Sequence, residues 1–116
     1  MDIFKKCTAC AHLWMSRDNF LNDSNTQLVG YQVNFENLEL GYFLFNHSVC
    51  RTTIAIPAGR FRDLYNGSVF KENLTGTESC PEYCLHEEQL LPCPEQCECT
   101  WVRDILQIVR DWPKHN

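Results

Sequence analysis

The twenty residues from Cys80 to Cys99, CPEYCLHEEQLLPCPEQCEC, hold five of the eight cysteines in a chain of 116. One unit occurs twice in them: Cys80-Pro81-Glu82-Tyr83-Cys84 and Cys93-Pro94-Glu95-Gln96-Cys97, with Cys99 close behind. Too few apolar side chains lie here for the segment to bury itself, so something covalent or ionic must hold it. Proline after cysteine suits the first position of a helical turn, where its missing N–H costs nothing. The cysteine then stands at the cap, where backbone N–H groups favour thiolate, the form that binds metal. The second cysteine of each unit returns to the same side after about one turn. Cys80, Cys84, Cys93 and Cys97 therefore make four soft ligands, enough for a tetrahedral zinc site. His86 and Cys99 are further donors, either of which could replace one of the four.

A second constellation lies outside the segment. Cys7-Thr8-Ala9-Cys10 is a C-x2-C pair, and His47 and Cys50 have the same spacing. Together they supply three sulfurs and one imidazole, a recognised structural zinc set that would staple the N-terminus to the rest of the fold. Neither half carries the glycine or proline usual in a tight knuckle. His47 also reads as a hydrogen-bonded strand-end histidine, and Cys50 as a small buried hydrophobe. Cys99 in place of Cys97, or one shared site drawn from both halves, fits the spacing too.

Three other uses of the thiols compete. An iron–sulfur cluster is the nearest, but the run matches neither the bacterial nor the plant-type ferredoxin spacing, which favours zinc. Cys7 and Cys10 have the spacing of a redox dithiol, without the βαβ context that gives that motif meaning. A secreted disulfide framework suits the even count of cysteines. Three sequons, at Asn46, Asn66 and Asn73, keep that framework open if a leader was removed.

The start MDIFKKCTAC has no apolar stretch of secretory length, and no run approaches a membrane span, so the expectation is a cytoplasmic protein with reduced thiols. The net charge is −5, and between Lys71 and Arg103 there are seven glutamates and no Lys or Arg. Such a surface repels phosphate backbones, which argues against nucleic acid as a partner and leaves a protein partner. No phosphate-cradling glycine loop, H-E-x-x-H or nucleophile elbow is present, so the chain reads as a binding protein rather than an enzyme.

Seven Phe, four Tyr and three Trp are enough for a real core. Residues 16–25 read as a short helix capped by Ser16, with residues 11–15 compatible with an earlier start. LVGYQVNF alternates, placing Val29, Tyr31, Val33 and Phe35 on one face. Residues 41–47 and 51–57 read as two more strands, and a helix follows Pro57. In the last element Trp101, Ile105, Ile108 and Trp112 form a helical stripe, widened by Val102 and Val109. Thr100 can cap that helix, Arg103 falls away from its stripe, and Pro113 stops it. The expected fold is a single α+β domain over 1–116: helix plus small antiparallel sheet in 1–76, the Cys-rich metal-binding loop in 77–99, and an amphipathic C-terminal helix in 100–112.

LGY, FLFNHSVCRTT, CPEYCLHEE and CPEQCECTWVRDILQIV together resemble a family of small uncharacterised bacterial Cys-rich proteins. The resemblance runs through most of the chain from Leu28 onward. It implies a bacterial cytoplasm, where the sequons carry no meaning, and it implies no activity.

Overall fold

The computed structural model describes residues 3–65, 67, 78, 83–86, 88–92 and 97–114, with the Cys84 side chain outside that set. The architecture is α+β. Its centre is a three-stranded antiparallel sheet of β3 (Thr26–Gln32), β4 (Tyr42–His47) and β5 (Thr52–Pro57), in that order. A two-stranded antiparallel ladder of β1 (Lys5–Lys6) and β2 (Leu13–Trp14) precedes it. Helix α1 (Arg17–Asn22) follows β2, and helix α2 (Thr100–Arg110) ends the fold.

Ser16 caps α1 as its sequence position suggests, its Oγ accepting from the Asn19 N–H at 3.1 Å. The stretch before it is not helical. Leu13 and Trp14 pair instead with Lys6 and Lys5. The Trp14 carbonyl takes the Phe4 N–H at 3.0 Å, and the His12 carbonyl takes the Cys7 N–H at 2.8 Å. Cross-strand bonds closed by the Cys7–Cys10 turn thus override a local helical tendency.

In β4 the alternation is regular: Phe43, Phe45 and His47 are buried, while Tyr42 and Asn46 are exposed. His47 thereby lies on the core face at the strand's end, opposite Thr26 and Thr52. In β3 the expected alternation fails. Leu28 pairs with Phe45 and Gly30 with Leu44, so Val29 is an extra residue in a bulge. The bulge shifts the phase by one, so that both Leu28 and Tyr31 are buried. The strand ends at Gln32, and Phe35 lies exposed beyond it.

After β5, residues Ala58–Leu64 wind as a 3-10 helix that buries Phe61. The core is strongly aromatic. Phe20 meets Phe45 edge-on at 4.8 Å between ring centres, and Phe43 stacks on Phe61 at 5.1 Å. The guanidinium of Arg60 lies 4.6 Å over the Phe4 ring, and its Nη2 donates to the Phe4 carbonyl at 3.2 Å. These contacts clamp the first strand onto the 3-10 helix.

Helix α2 buries Trp101, Val102, Arg103, Ile105, Leu106 and Val109. Its inner face is rotated from the one the stripe indicates: Ile108 is 38% exposed, whereas Arg103 is fully buried. Thr100 is the first helical residue rather than the cap, which is Cys99. The Thr100 Oγ1 accepts the Cys97 N–H at 3.2 Å. This rotation makes a prediction. Ile105→Ala is expected to cost about 2–5 kcal/mol in urea denaturation, and Ile108→Ala, at an exposed position, within about 0.5 kcal/mol.

Candidate metal centre

Two tight turns meet beyond the end of β4. One joins β1 to β2 and carries Cys7 and Cys10; the other joins β4 to β5 and carries His47 and Cys50. The turns are built alike. In each, the N–H of the residue after the second donor returns to the carbonyl of the first: Ala11 to Cys7 at 2.9 Å and Arg51 to His47 at 2.8 Å. Ala11 has φ 65° and Arg51 φ 58°, and among the described residues they are the left-handed non-glycine ones. Each conformation costs about 1 kcal/mol or more for a residue with a Cβ. The glycine of a common knuckle stands where these residues stand, so its absence from the sequence hid two turns that the backbone makes anyway.

The turns bring four donor atoms within 4.8 Å of one another, and the group could hold a metal ion. Cys7 Sγ and Cys50 Sγ are 3.5 Å apart. His47 Nδ1 lies 3.3 Å from Cys50 Sγ and 3.7 Å from Cys10 Sγ. Zinc at about 2.3 Å from sulfur and about 2.0 Å from nitrogen sets tetrahedral ligand atoms roughly 3.5–3.8 Å apart. The observed separations are close to the edges of that tetrahedron.

Neighbouring groups orient the imidazole. The Trp14 ring meets it edge-on at 5.0 Å between centres, and Trp14 Nε1 donates to Asp23 Oδ2 at 3.0 Å. The Ser48 N–H donates to the Asn25 carbonyl at 2.9 Å, and Ser48 Oγ donates to Asn25 Oδ1 at 3.0 Å. These bonds fix the His47 turn against the start of β3. Cys7 and His47 are buried, Cys50 is partly so, and Cys10 faces solvent.

The thiols are electrostatically unequal. Burial acts to raise Cys7, but the N–H groups of Cys10 and Ala9, with the His47 and Cys50 side chains, outweigh it and lower the thiol to about 6. Cys50 is pushed up by burial and by Cys7, with Cys10 adding to the effect against the Thr52 N–H. One thiolate is thus prepared in advance, with a neighbouring thiol to share its proton.

Cys7, Cys10, His47 and Cys50 come together as their spacing suggests. His12, 5.8 Å from the His47 ring and exposed, is outside the four-donor group. Cys97 and Cys99 form a separate buried pair with sulfurs 3.4 Å apart, so among the described residues the two halves do not share one site. Cys80 and Cys93 lie outside the described residues, as does the Cys84 side chain. Sequence reasoning missed Trp14 as the ring against His47, and the left-handed roles of Ala11 and Arg51. No protein-family model matches the chain, nor does any curated protein or solved structure.

Two predictions follow from this geometry. Ala11→Gly and Arg51→Gly are each expected to stabilise the chain by up to about 1 kcal/mol in denaturant melts with metal binding retained, because glycine relieves the left-handed conformation. In the metal-free protein, one thiolate is expected to form with a midpoint near pH 6, seen in ultraviolet absorbance and absent from Cys7→Ser. The folded thiol titrates below its unfolded range. Its stabilising contribution is therefore complete above the unfolded pKa and lost as pH falls through about 6.

Proposed function

We propose that Cys7, Cys10, His47 and Cys50 hold a structural zinc ion, and that the protein acts by binding a protein partner rather than by catalysis. The observation that carries this is the convergence of the four donors to within 4.8 Å of one another from two turns of the same construction. Protein side chains fill every position of such a site, leaving no open place for substrate or water, which is the arrangement of structural rather than catalytic zinc. A set of three sulfurs and one imidazole suits zinc by softness and geometry.

The gain is mechanical. Strands β1 and β2 have two residues each, and so short a ladder is not stable alone. An ion shared between the turns ties it to the sheet end. Free zinc at about 1,000 times its Kd adds about 4 kcal/mol to the folded state. Cys7, Cys10 and Cys50 are free thiols, the form from which thiolate ligands are made.

Elemental analysis of chelator-free, anaerobically purified protein, with thiols counted before and after metal removal, tests this reading. Zinc is expected at this group, with Cys7, Cys10 and Cys50 becoming reactive only after it is stripped. Chelation is expected to lower the melting temperature and open the N-terminal ladder to protease. Iron with acid-labile sulfide in place of zinc, or thiols fully reactive with metal bound, would sink the reading.

A further inference from the structure

The three thiols of the four-donor group differ in what they touch. Cys7 Sγ and Cys50 Sγ are in contact at 3.5 Å, across 43 positions of the chain. Cys10 Sγ instead meets the His47 nitrogen at 3.7 Å. They differ in access as well: Cys10 is exposed and Cys50 half-buried, while Cys7 is 0% exposed. Solvent therefore reaches one residue of the contacting pair and not the other. Reacting atoms held about 3–3.5 Å apart are at the distance from which a bond forms with little further ordering.

The backbone holds the pair in this position. The Cys7 carbonyl closes its turn by accepting the Ala11 N–H, and the Cys7 N–H donates to the His12 carbonyl at 2.8 Å. In the other turn the Arg51 N–H closes onto the His47 carbonyl. Each turn is thus shaped by its own hydrogen bonds, whatever the sulfurs are bonded to. Cys7 belongs to one turn and Cys50 to the other. A bond between them joins the same two turns that a shared ion joins.

We propose that this group is a redox switch: a two-electron oxidant of the peroxide class joins Cys7 to Cys50 in a disulfide and expels the zinc ion, and a thiol reductant reverses the change. The inference rests on the structural-zinc reading and adds regulation to that site. Cys50 Sγ, on the residue that solvent reaches, attacks one peroxide oxygen. The O–O bond breaks, Cys50 becomes a sulfenic acid and hydroxide leaves. Cys7 Sγ then attacks Cys50 Sγ; the S–S bond forms, the S–O bond breaks and a second hydroxide leaves. Each hydroxide takes a proton from solvent and becomes water, and two thiolates have given two electrons to the peroxide. Cys10 and His47 remain, two donors where a closed zinc site needs four, so the ion departs with its charge unchanged. The disulfide closes a long loop and holds the two turns together in the ion's place. Two thiols of a reductant return the electrons and become a disulfide in their turn. Oxidation thus frees zinc and the exposed Cys10 thiol while the fold persists.

The full-length wild type, expressed with zinc and purified anaerobically without chelator, is treated with one equivalent of hydrogen peroxide. Released zinc is followed with a chromogenic indicator, and disulfides are mapped by mass spectrometry after free thiols are blocked. Zinc release is expected to rise in step with a Cys7–Cys50 cross-link, with Cys10 recovered as a blocked thiol. Dithiothreitol and zinc are then expected to restore the starting state. Zinc retained under peroxide, or released beside a different disulfide, overturns the switch and leaves the zinc reading standing. Reduced protein that holds no zinc before peroxide is added overturns the zinc reading, and the switch with it. The metal-free wild type is also melted before and after peroxide. Oxidation is expected to raise its melting temperature, and dithiothreitol to lower it again; no rise overturns the disulfide as a replacement for the ion.

Discussion

The meeting of the Cys7–Cys10 turn with the His47–Cys50 turn is the contact on which the N-terminal half depends. A ladder of two residues per strand is short, and both the Arg60–Phe4 contacts and the meeting of its turn with the end of the sheet hold it in place. His47 makes this possible. It is in phase with Phe43 and Phe45 on the core side of β4, so its imidazole arrives at the junction from the interior while the thiols of Cys7 and Cys10 arrive from the other turn. Three thiolates gathered this closely around one imidazole would repel one another, and a dication would offset that repulsion.

From this junction the core continues as one chain of rings. His47 touches Trp14, Trp14 touches Phe20, and Phe20 touches Phe45. Phe45 and Phe43 both meet Phe61, and Phe43 meets Tyr31. Tyr31 lies 6.0 Å from the Arg103 guanidinium. The aromatic core thus runs from the cysteine and histidine group at one end to the buried Arg103 at the other. Rings supply the apolar area of folding along that path.

The two left-handed residues show how the backbone reaches the first group. Ala11 and Arg51 take conformations that glycine takes more cheaply, and they do so at the equivalent position of two turns. The same strain thus recurs at the residue that closes each turn. At Cys7, N–H groups fixed by the turn stabilise the thiolate and lower the thiol to about 6.

Local pattern in the sequence was enough for the α+β class, the Ser16 cap, the three strands of the sheet and the pairing of Cys7, Cys10, His47 and Cys50. Each of these rests on period, capping chemistry or ligand spacing, which act over a few residues. The β1–β2 ladder, the bulge at Val29, the turn of α2 that buries Arg103 and exposes Ile108, and the joint burial of Cys97 and Cys99 were decided only in three dimensions. The reason is common to all four. A helix-compatible stretch becomes a strand when a distant turn offers it partners, and a strand changes phase when one extra residue lets two side chains reach the core. A charged residue turns inward when carbonyls from another segment await it. Such energies come from contacts between residues far apart in the chain, and no local pattern encodes them.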